Sequence, residues 1–241
     1  MKPQHIRAKP EDIAKRIIVA GDPARVEQLS ELLENARVVN RNRGFLTYTG
    51  VYKGEEITIA THGVGAPSLA IVVEDLIMLG ARVIVRLGTC GGMVKELRRG
   101  DLVIATGAAY YCGGGVLGMY APGACMPTAP HPEVTMALIN EARKRGVRYM
   151  VGPVFSSDAF YAEDKEFVSK WVSRGIIAVE MECATLFALG WMRNVKTGAL
   201  LIVSNSLVVK DEQEMFTAEK LKKYVDVAGR IVLDSLVKID A

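Results

Sequence analysis

Five segments of the 241-residue chain combine residue types and spacings that could do chemistry, and each follows an apolar run. Gly21-Asp22-Pro23-Ala24-Arg25 sets a glycine ahead of a helix start and an arginine one turn in. Free amides at a helix N-terminus and a guanidinium together make a seat for an anion. Alone the segment is weak, because Gly-Asp-Pro is also a common turn. Thr61-His62-Gly63-Val64-Gly65-Ala66-Pro67-Ser68 has two glycines that permit close backbone approach to a ligand, although a tight strand–helix turn reads the same way. Arg86-Leu87-Gly88-Thr89-Cys90-Gly91-Gly92 places an arginine at the end of a buried strand, followed by glycines, a hydroxyl and a thiol. A buried arginine is costly unless an anion or carboxylate meets it. Thr89 and nearby amides could donate to the same anion. Cys90 has no histidine near it in sequence and reads as a small wall residue rather than a nucleophile.

The fourth segment is Val179-Glu180-Met181-Glu182-Cys183, where two acids flank a methionine at the end of an apolar run. One carboxylate can accept from two vicinal hydroxyls while methionine packs on a sugar face. Acids enriched at a helix N-terminus would explain one of the two. The two acids are expected to point to different sides, so they are not an obvious paired-carboxylate site. The fifth is Val203-Ser204-Asn205-Ser206, where Asn205 can donate to or accept from a heterocycle edge, or serve as a turn or cap residue.

These segments need a scaffold of alternating strands and helices. Ile17–Ala20 reads as the first strand and the segment from Pro23 as a helix with Val26, Leu29, Leu32 and Leu33 on one face. Phe45–Tyr52 and Glu56–Thr61 form a hairpin through Lys53-Gly54. Helices are expected at 67–79, 132–145, 164–172, 182–191 and 217–237. Strands are expected at 83–87, 102–109, 149–155, 176–179 and 200–203. The stretch 110–130, rich in Gly and Pro, is the longest irregular one, and such loops are often functional. No linker or repeat divides the chain, so residues 1–241 read as one α/β domain with helices on both faces of a sheet. Ligands of such sheets bind beyond the carboxyl ends of strands, where the five segments lie.

Composition narrows the classes. A net charge of +3 with no run of like charge argues against nucleic acid. The N-terminus lacks the apolar core of a signal peptide, and no apolar stretch of membrane-spanning length is free of Gly or charge. The four cysteines (Cys90, Cys112, Cys125 and Cys183) form no CxxC pair or zinc spacing, so no metal site is expected. A cytoplasmic protein with reduced thiols is the expectation. An intersubunit disulfide at Cys125 stays open if the source is a hyperthermophile. The P-loop, GxSxG and HExxH patterns are absent.

Taken in order, GDPAR, NRGFLTYTG, THGVGAPS, RLGTCGG, FSSDAFYAED, VEMECATL and VSNS resemble the hexameric branch of the nucleoside phosphorylases. That branch includes bacterial purine nucleoside phosphorylase and archaeal 5'-methylthioadenosine phosphorylase. The resemblance covers nearly the whole chain. It implies a single-domain three-layer α/β fold whose central mixed, partly barrel-like β-sheet is flanked by helices. It implies phosphate binding by Gly21, Arg25, Arg86 and Thr89, with Arg43 from a neighbouring subunit. Glu182 would take the ribose hydroxyls, with Met181 on the sugar and the neighbour's His5 near the 5' position. Phe160, Cys90, Gly91, Val179, Glu180, Ser204 and Asn205 would line the base site. Catalysis would rest on Arg86, Glu182 and Asn205. Inorganic phosphate is then a co-substrate, no cofactor is needed, and the assembly is a homo-oligomer, a hexamer built as a trimer of dimers.

The chain departs from the pattern at Asn205, where purine enzymes of this branch usually carry an Asp that acts as acid toward purine N7. Asn can hydrogen-bond but cannot supply a proton. This favours a 6-oxopurine nucleoside such as inosine or guanosine over adenosine or methylthioadenosine, unless Asp211 replaces the acid by loop movement. Uridine phosphorylases share the fold but typically carry Gln and Arg shortly after the FY motif, where this chain has Asp164 and Glu166. Uridine is the alternative substrate, and a catalytically silent nucleoside-binding protein the second alternative. A nucleosidase ranks lower because Arg25, Arg43 and Arg86 are all retained.

Overall fold

The computed structural model describes every residue except Met1, Gly113, Gly114, Glu163 and Lys165. Strands and helices alternate along the chain: β1 (Arg16–Ala20), α1 (Pro23–Ser30), β2 (Glu34–Asn40), β3 (Thr47–Tyr52), β4 (Glu55–Thr61) and α2 (Ala66–Met78) come first. Then follow β5 (Val83–Gly92), β6 (Leu102–Ala109), α3 (Gly115–Tyr120), α4 (Pro132–Lys144), β7 (Tyr149–Ser156) and α5 (Phe167–Val172). The chain ends in β8 (Ala178–Glu180), α6 (Cys183–Arg193), β9 (Lys196–Ser206) and α7 (Ala218–Leu236).

The strands form one mixed sheet in the order β2-β3-β4-β1-β5-β8-β7-β6-β9, and β9 also pairs with β5. That last pairing closes five strands into a barrel, while β2, β3, β4 and β1 extend from it as an open sheet. β5 belongs to both parts. Its first half pairs in parallel with β1, from Arg16 opposite Val83 to Val19 opposite Arg86. Its far end pairs antiparallel with β8, through Gly91 and Gly92. A register shift between Cys90 and Gly91 marks a bulge against β9, which bends the strand around the barrel.

Alternate residues of β1 and β5 face opposite layers. Ile17, Val19 and Ile84 pack with Leu69, Val73 and Leu76 of α2 and with Leu186 and Phe187 of α6. Ile18, Val83, Val85 and Leu87 pack with Leu29 of α1, Val134 and Leu138 of α4, and Val232 and Leu236 of α7. Helices thus cover both faces, as the strand–helix alternation implies. The Lys53-Gly54 hairpin is present, with both residues at positive φ, 51° and 84°, as a two-residue turn between twisted strands demands.

The structure corrects several boundaries. β5 runs to Gly92 rather than ending at Leu87, and β9 spans Lys196–Ser206 rather than 200–203. RLGTCGG is therefore largely strand, not loop. Glycine lowers the propensity of the stretch, but barrel closure overrides it. β2 was not anticipated; it is an edge strand whose first five residues are all exposed, so no alternation signals it. Stretch 110–130 contains the short helix α3.

Asp234 ties α7 to the sheet and to the end of α4. Its side chain, nearly buried, accepts from Tyr52 Oη at 3.0 Å and pairs with Lys53 and Arg145. Burial pushes its carboxyl up, but Lys53, Arg145 and Tyr52 outweigh that and hold it below the ordinary aspartate value of 3.8. A depressed folded pKa contributes stability that is present above the unfolded value and lost as pH falls through the folded one. Asp234→Asn should therefore lower stability at pH 7 by about 1–3 kcal/mol. In thermal melts recorded against pH, the gap to wild type should close in acid, below pH 3.8; a gap independent of pH would show that Asp234 acts through packing alone.

Candidate active site

A cavity of about 890 Å³ opens at the carboxyl ends of β1, β5, β8 and β9. That volume lies within the range of small-molecule sites. Gly21, Arg25, Arg86 and Thr89 line one end; Met181 and Glu182 follow; Cys90, Gly91, Phe160, Val179, Glu180, Ser204 and Asn205 complete the wall. The five segments singled out in the sequence therefore meet in one place.

Arg86 is the centre of its charge. The side chain is buried, and its Nη2 pairs with Glu182 and lies 3.7 Å from Glu180 Oε2. Burial opposes its charge, but the Glu182 and Glu180 carboxylates outweigh that and raise its pKa further. Its Nε and Nη1, both buried, have no hydrogen-bond partner among the described residues. Unpaired donors of a fixed cation at a cavity wall are a seat for an anion. The guanidinium folds back over Gly88, where an added Cβ would stand 1.7 Å from Nη1. Arg25 adds a second buried guanidinium whose Nη1 donates to Leu87 O at 3.2 Å. Burial and the Arg86 charge lower its pKa to about 10, so it remains cationic at neutral pH.

The backbone around these cations is unusually close. A Cβ on Gly21 would lie 2.9 Å from Gly63 O, so the ends of β1 and β4 abut here only because Gly21 is glycine. Behind them sits His62, fully buried, with neither ring nitrogen bonded. Burial and the nearby Arg86 depress its pKa to about 3, so it is neutral and adds no charge to the anion seat.

The two glutamates divide their duties. The chain leaves β8 at Glu180 and turns, so that Glu182 becomes the N-cap of α6. The acids do not face different sides, contrary to expectation: both converge on Arg86, as residues two apart in an extended chain share a face. Glu180 is consumed internally, accepting from Ser156 Oγ at 2.5 Å, from Glu182 N at 2.8 Å and from Cys183 N. Even so, burial raises its pKa. Glu182 Oε1 accepts from Gly65 N at 2.7 Å, at the start of α2. Burial pushes Glu182 up too, but Arg86 and the Gly65 amide prevail and keep it ionised. Glu182 is thus a charged acceptor at the cavity wall beside Met181.

At the far end, Ser204 Oγ donates to Cys90 O at 3.2 Å and lies 3.1 Å from Asn205 Oδ1. Asn205 Nδ2 donates to Gln213 O at 3.3 Å. The Cys90 thiol is buried and pushed well up by that burial, which fits a wall residue rather than a nucleophile. Phe160 is half exposed at the rim. Gln213 and Met215, from the segment after β9, also line the cavity, as do Val64 and Leu207. Sequence reading missed Gln213 and Met215 because KDEQEM carries no periodicity or motif. Asp211 is exposed and does not line the cavity.

His5 and Arg43 do not line the cavity of their own chain. They adjoin each other elsewhere: Asn42 Nδ2 donates to His5 O at 2.9 Å, and His5 Nδ1 lies 3.5 Å from Asp75 Oδ2. Arg43 is exposed in the left-handed region, at φ 56°. Among the described residues no cluster of His, Cys, Asp and Glu could hold a metal ion, and no helix is long and apolar enough to cross a membrane.

A barrel-bearing α/β sheet whose cavity is lined by two buried guanidiniums and an ionised carboxylate suits an anion-using transferase. Residues 15–237 match the phosphorylase superfamily, and the chain belongs to that family. It is 33% identical over 242 residues to a guanosine phosphorylase of Halorubrum lacusprofundi, covering 99% of each chain. It is 39% identical over 210 residues to a uridine phosphorylase of Treponema pallidum, covering 83% of this chain and 80% of that one. Its fold superposes on a purine nucleoside phosphorylase of Toxoplasma gondii, solved with immucillin-H, with a TM-score of 0.88, 27% identity, and coverage of 98% of this chain and 96% of that one.

The space above Gly88 gives a direct test of the Arg86 geometry. Gly88→Ala should leave folding intact but displace the guanidinium, cutting turnover at least tenfold. Equal activity with an unchanged circular dichroism spectrum would show that Arg86 need not lie over residue 88.

Proposed function

We propose that the chain is a purine nucleoside phosphorylase acting on 6-oxopurine nucleosides, guanosine or inosine, and releasing free base and ribose 1-phosphate. The observation that carries this reading is the buried Arg86, which lines a cavity shared with Glu182 and Asn205 and keeps two of its nitrogens without a partner among the described residues. Phosphate takes the seat formed by Gly21, Arg25, Arg86 and Thr89. Glu182 accepts from the ribose hydroxyls, with Met181 against the sugar. The base lies between Phe160 and the wall of Cys90, Gly91, Val179 and Ser204.

The chemistry then follows from charge. The glycosidic bond opens toward an oxocarbenium-like sugar. Phosphate held below C1' stabilises that cation and captures it with inversion. Positioning and fixed charge supply the catalysis. Electrons of the breaking bond pass to the base, where a 6-oxopurine can delocalise them. Asn205 hydrogen-bonds the base but has no proton to give, and the likeness to a guanosine phosphorylase supports the oxopurine reading. No metal or organic cofactor takes part. The protein works in the cytoplasm as a homo-oligomer, a trimer of dimers, and His5 and Arg43 serve the neighbouring subunit's site. Uridine is the second reading, favoured by the likeness to the Treponema enzyme.

The experiment is base release from inosine, guanosine, adenosine, methylthioadenosine and uridine, each with and without phosphate. Phosphate-dependent release, fastest from guanosine or inosine, is expected; release of uracil alone would overturn the purine assignment. Two variants refine it. Arg86→Ala should lower kcat/KM by roughly 10²–10³-fold, as loss of an oriented charge-stabilising donor does, and unchanged phosphate dependence would sink its role. Asn205→Asp should raise the adenosine-to-inosine ratio of kcat/KM by roughly tenfold; a constant ratio would mean selectivity lies elsewhere.

A further inference from the structure

Cys112 and Cys125 lie at the two ends of the loop between β6 and α4, with their Sγ atoms 2.8 Å apart. Both are exposed. The legs of the loop are already paired below them. Ala108 N donates to Thr128 O at 2.9 Å, and Thr128 Oγ1 donates back to Ala108 O at 2.6 Å. Met126 N donates to Tyr110 Oη at 2.8 Å. The two sulfurs form the next rung of this ladder. The loop body is separately docked: Leu117 of α3 is buried, and Tyr120 Oη donates to Glu74 Oε1 at 3.1 Å. Thiols held within reach by independent contacts can be joined with little backbone movement.

We propose that Cys112 and Cys125 are a modification site, oxidised to an intrachain disulfide by a low-molecular-weight disulfide such as oxidised glutathione. One thiolate attacks a sulfur of the oxidant and releases one small thiol; the second cysteine attacks the mixed disulfide and releases the other. Two electrons and two protons leave the protein, and one disulfide oxidant becomes two thiols. The reaction is selective because Cys90 and Cys183 are buried, out of reach of the oxidant, whereas Cys112 and Cys125 are exposed. The bond closes the stretch 113–124 into a covalent loop and restricts the unfolded chain. It also steadies Tyr111 and Leu117, which pack beside Ser156, Asp158 and Ala184 on the flank of the segment leading to Phe160. Neither cysteine takes part in the proposed chemistry, so this inference and the assignment of function stand or fall separately.

The test compares full-length protein equilibrated with oxidised glutathione against protein kept in reductant. The four thiols titratable after denaturation should fall to two. The chain should still run as a monomer on a non-reducing denaturing gel. Chymotryptic cleavage after Leu117 and Tyr120 should leave the Cys112 and Cys125 peptides joined until reductant is added. The oxidised protein should melt several degrees higher, and Cys112→Ser, active as wild type, should lose that gain. Four remaining thiols, a stable glutathione adduct, a disulfide-linked dimer, or linkage through Cys90 or Cys183 would overturn the proposal. An equal melting midpoint would overturn the role of the bond as a clasp.

Discussion

The buried guanidinium of Arg86 sets the terms for most of what surrounds it. Removing such a charge from water costs several kcal/mol unless charges and hydrogen bonds return it. Here two carboxylates approach it from the end of β8 and the turn that follows, and the side chain lines the cavity with its other nitrogens unpaired among the described residues. Those carboxylates need placing in turn. Glu180 is fixed by Ser156 and by the first amides of α6, and Glu182 by the amide of Gly65 at the head of α2. The glycine at position 88 clears the volume that the side chain fills. β5, which carries Arg86, belongs both to the open sheet and to the closed barrel, so the charge sits where the two parts join.

This arrangement separates support from chemistry. Glu180 spends its oxygens on backbone and on Ser156, whereas Glu182 stays ionised beside the cavity with capacity to accept further hydrogen bonds. Arg25 strengthens the positive end without a carboxylate of its own in hydrogen-bond contact. His62, neutral because it is buried beside cations, fills space without offsetting or adding to them. A site of this type attracts a multivalent anion and presents an ionised acceptor next to it, as transfer of a sugar to phosphate requires.

Much of this was legible in the chain itself. Apolar runs ending in Gly-Asp-Pro and Glu-Met-Glu marked strand ends, and ligand-binding residues of α/β sheets gather at such ends. What escaped reading depended on contacts between distant segments. The continuation of β5 through glycines comes from pairing with β8 and β9, which local propensity does not reveal. The attachment of Glu182 to the amide of Gly65, which holds it beside Arg86, joins segments 117 residues apart and leaves no local pattern. Gln213 and Met215 reach the cavity because the segment after β9 folds over it, and their polar surroundings carry no pattern. The proximity of Cys112 to Cys125 likewise follows from the pairing of two loop legs, since their spacing matches no motif.

The fold, the family and the geometry of the cavity converge on transfer of a pentosyl group to an anion, and the fate of the sugar tests that most directly. Guanosine and inorganic phosphate incubated with the enzyme can be followed by phosphorus NMR while guanine is measured in parallel. A ribose 1-phosphate resonance growing in step with guanine is the expected result. Guanine accompanied by free ribose, with the phosphate signal unchanged, would contradict phosphorolysis and make the protein a hydrolase.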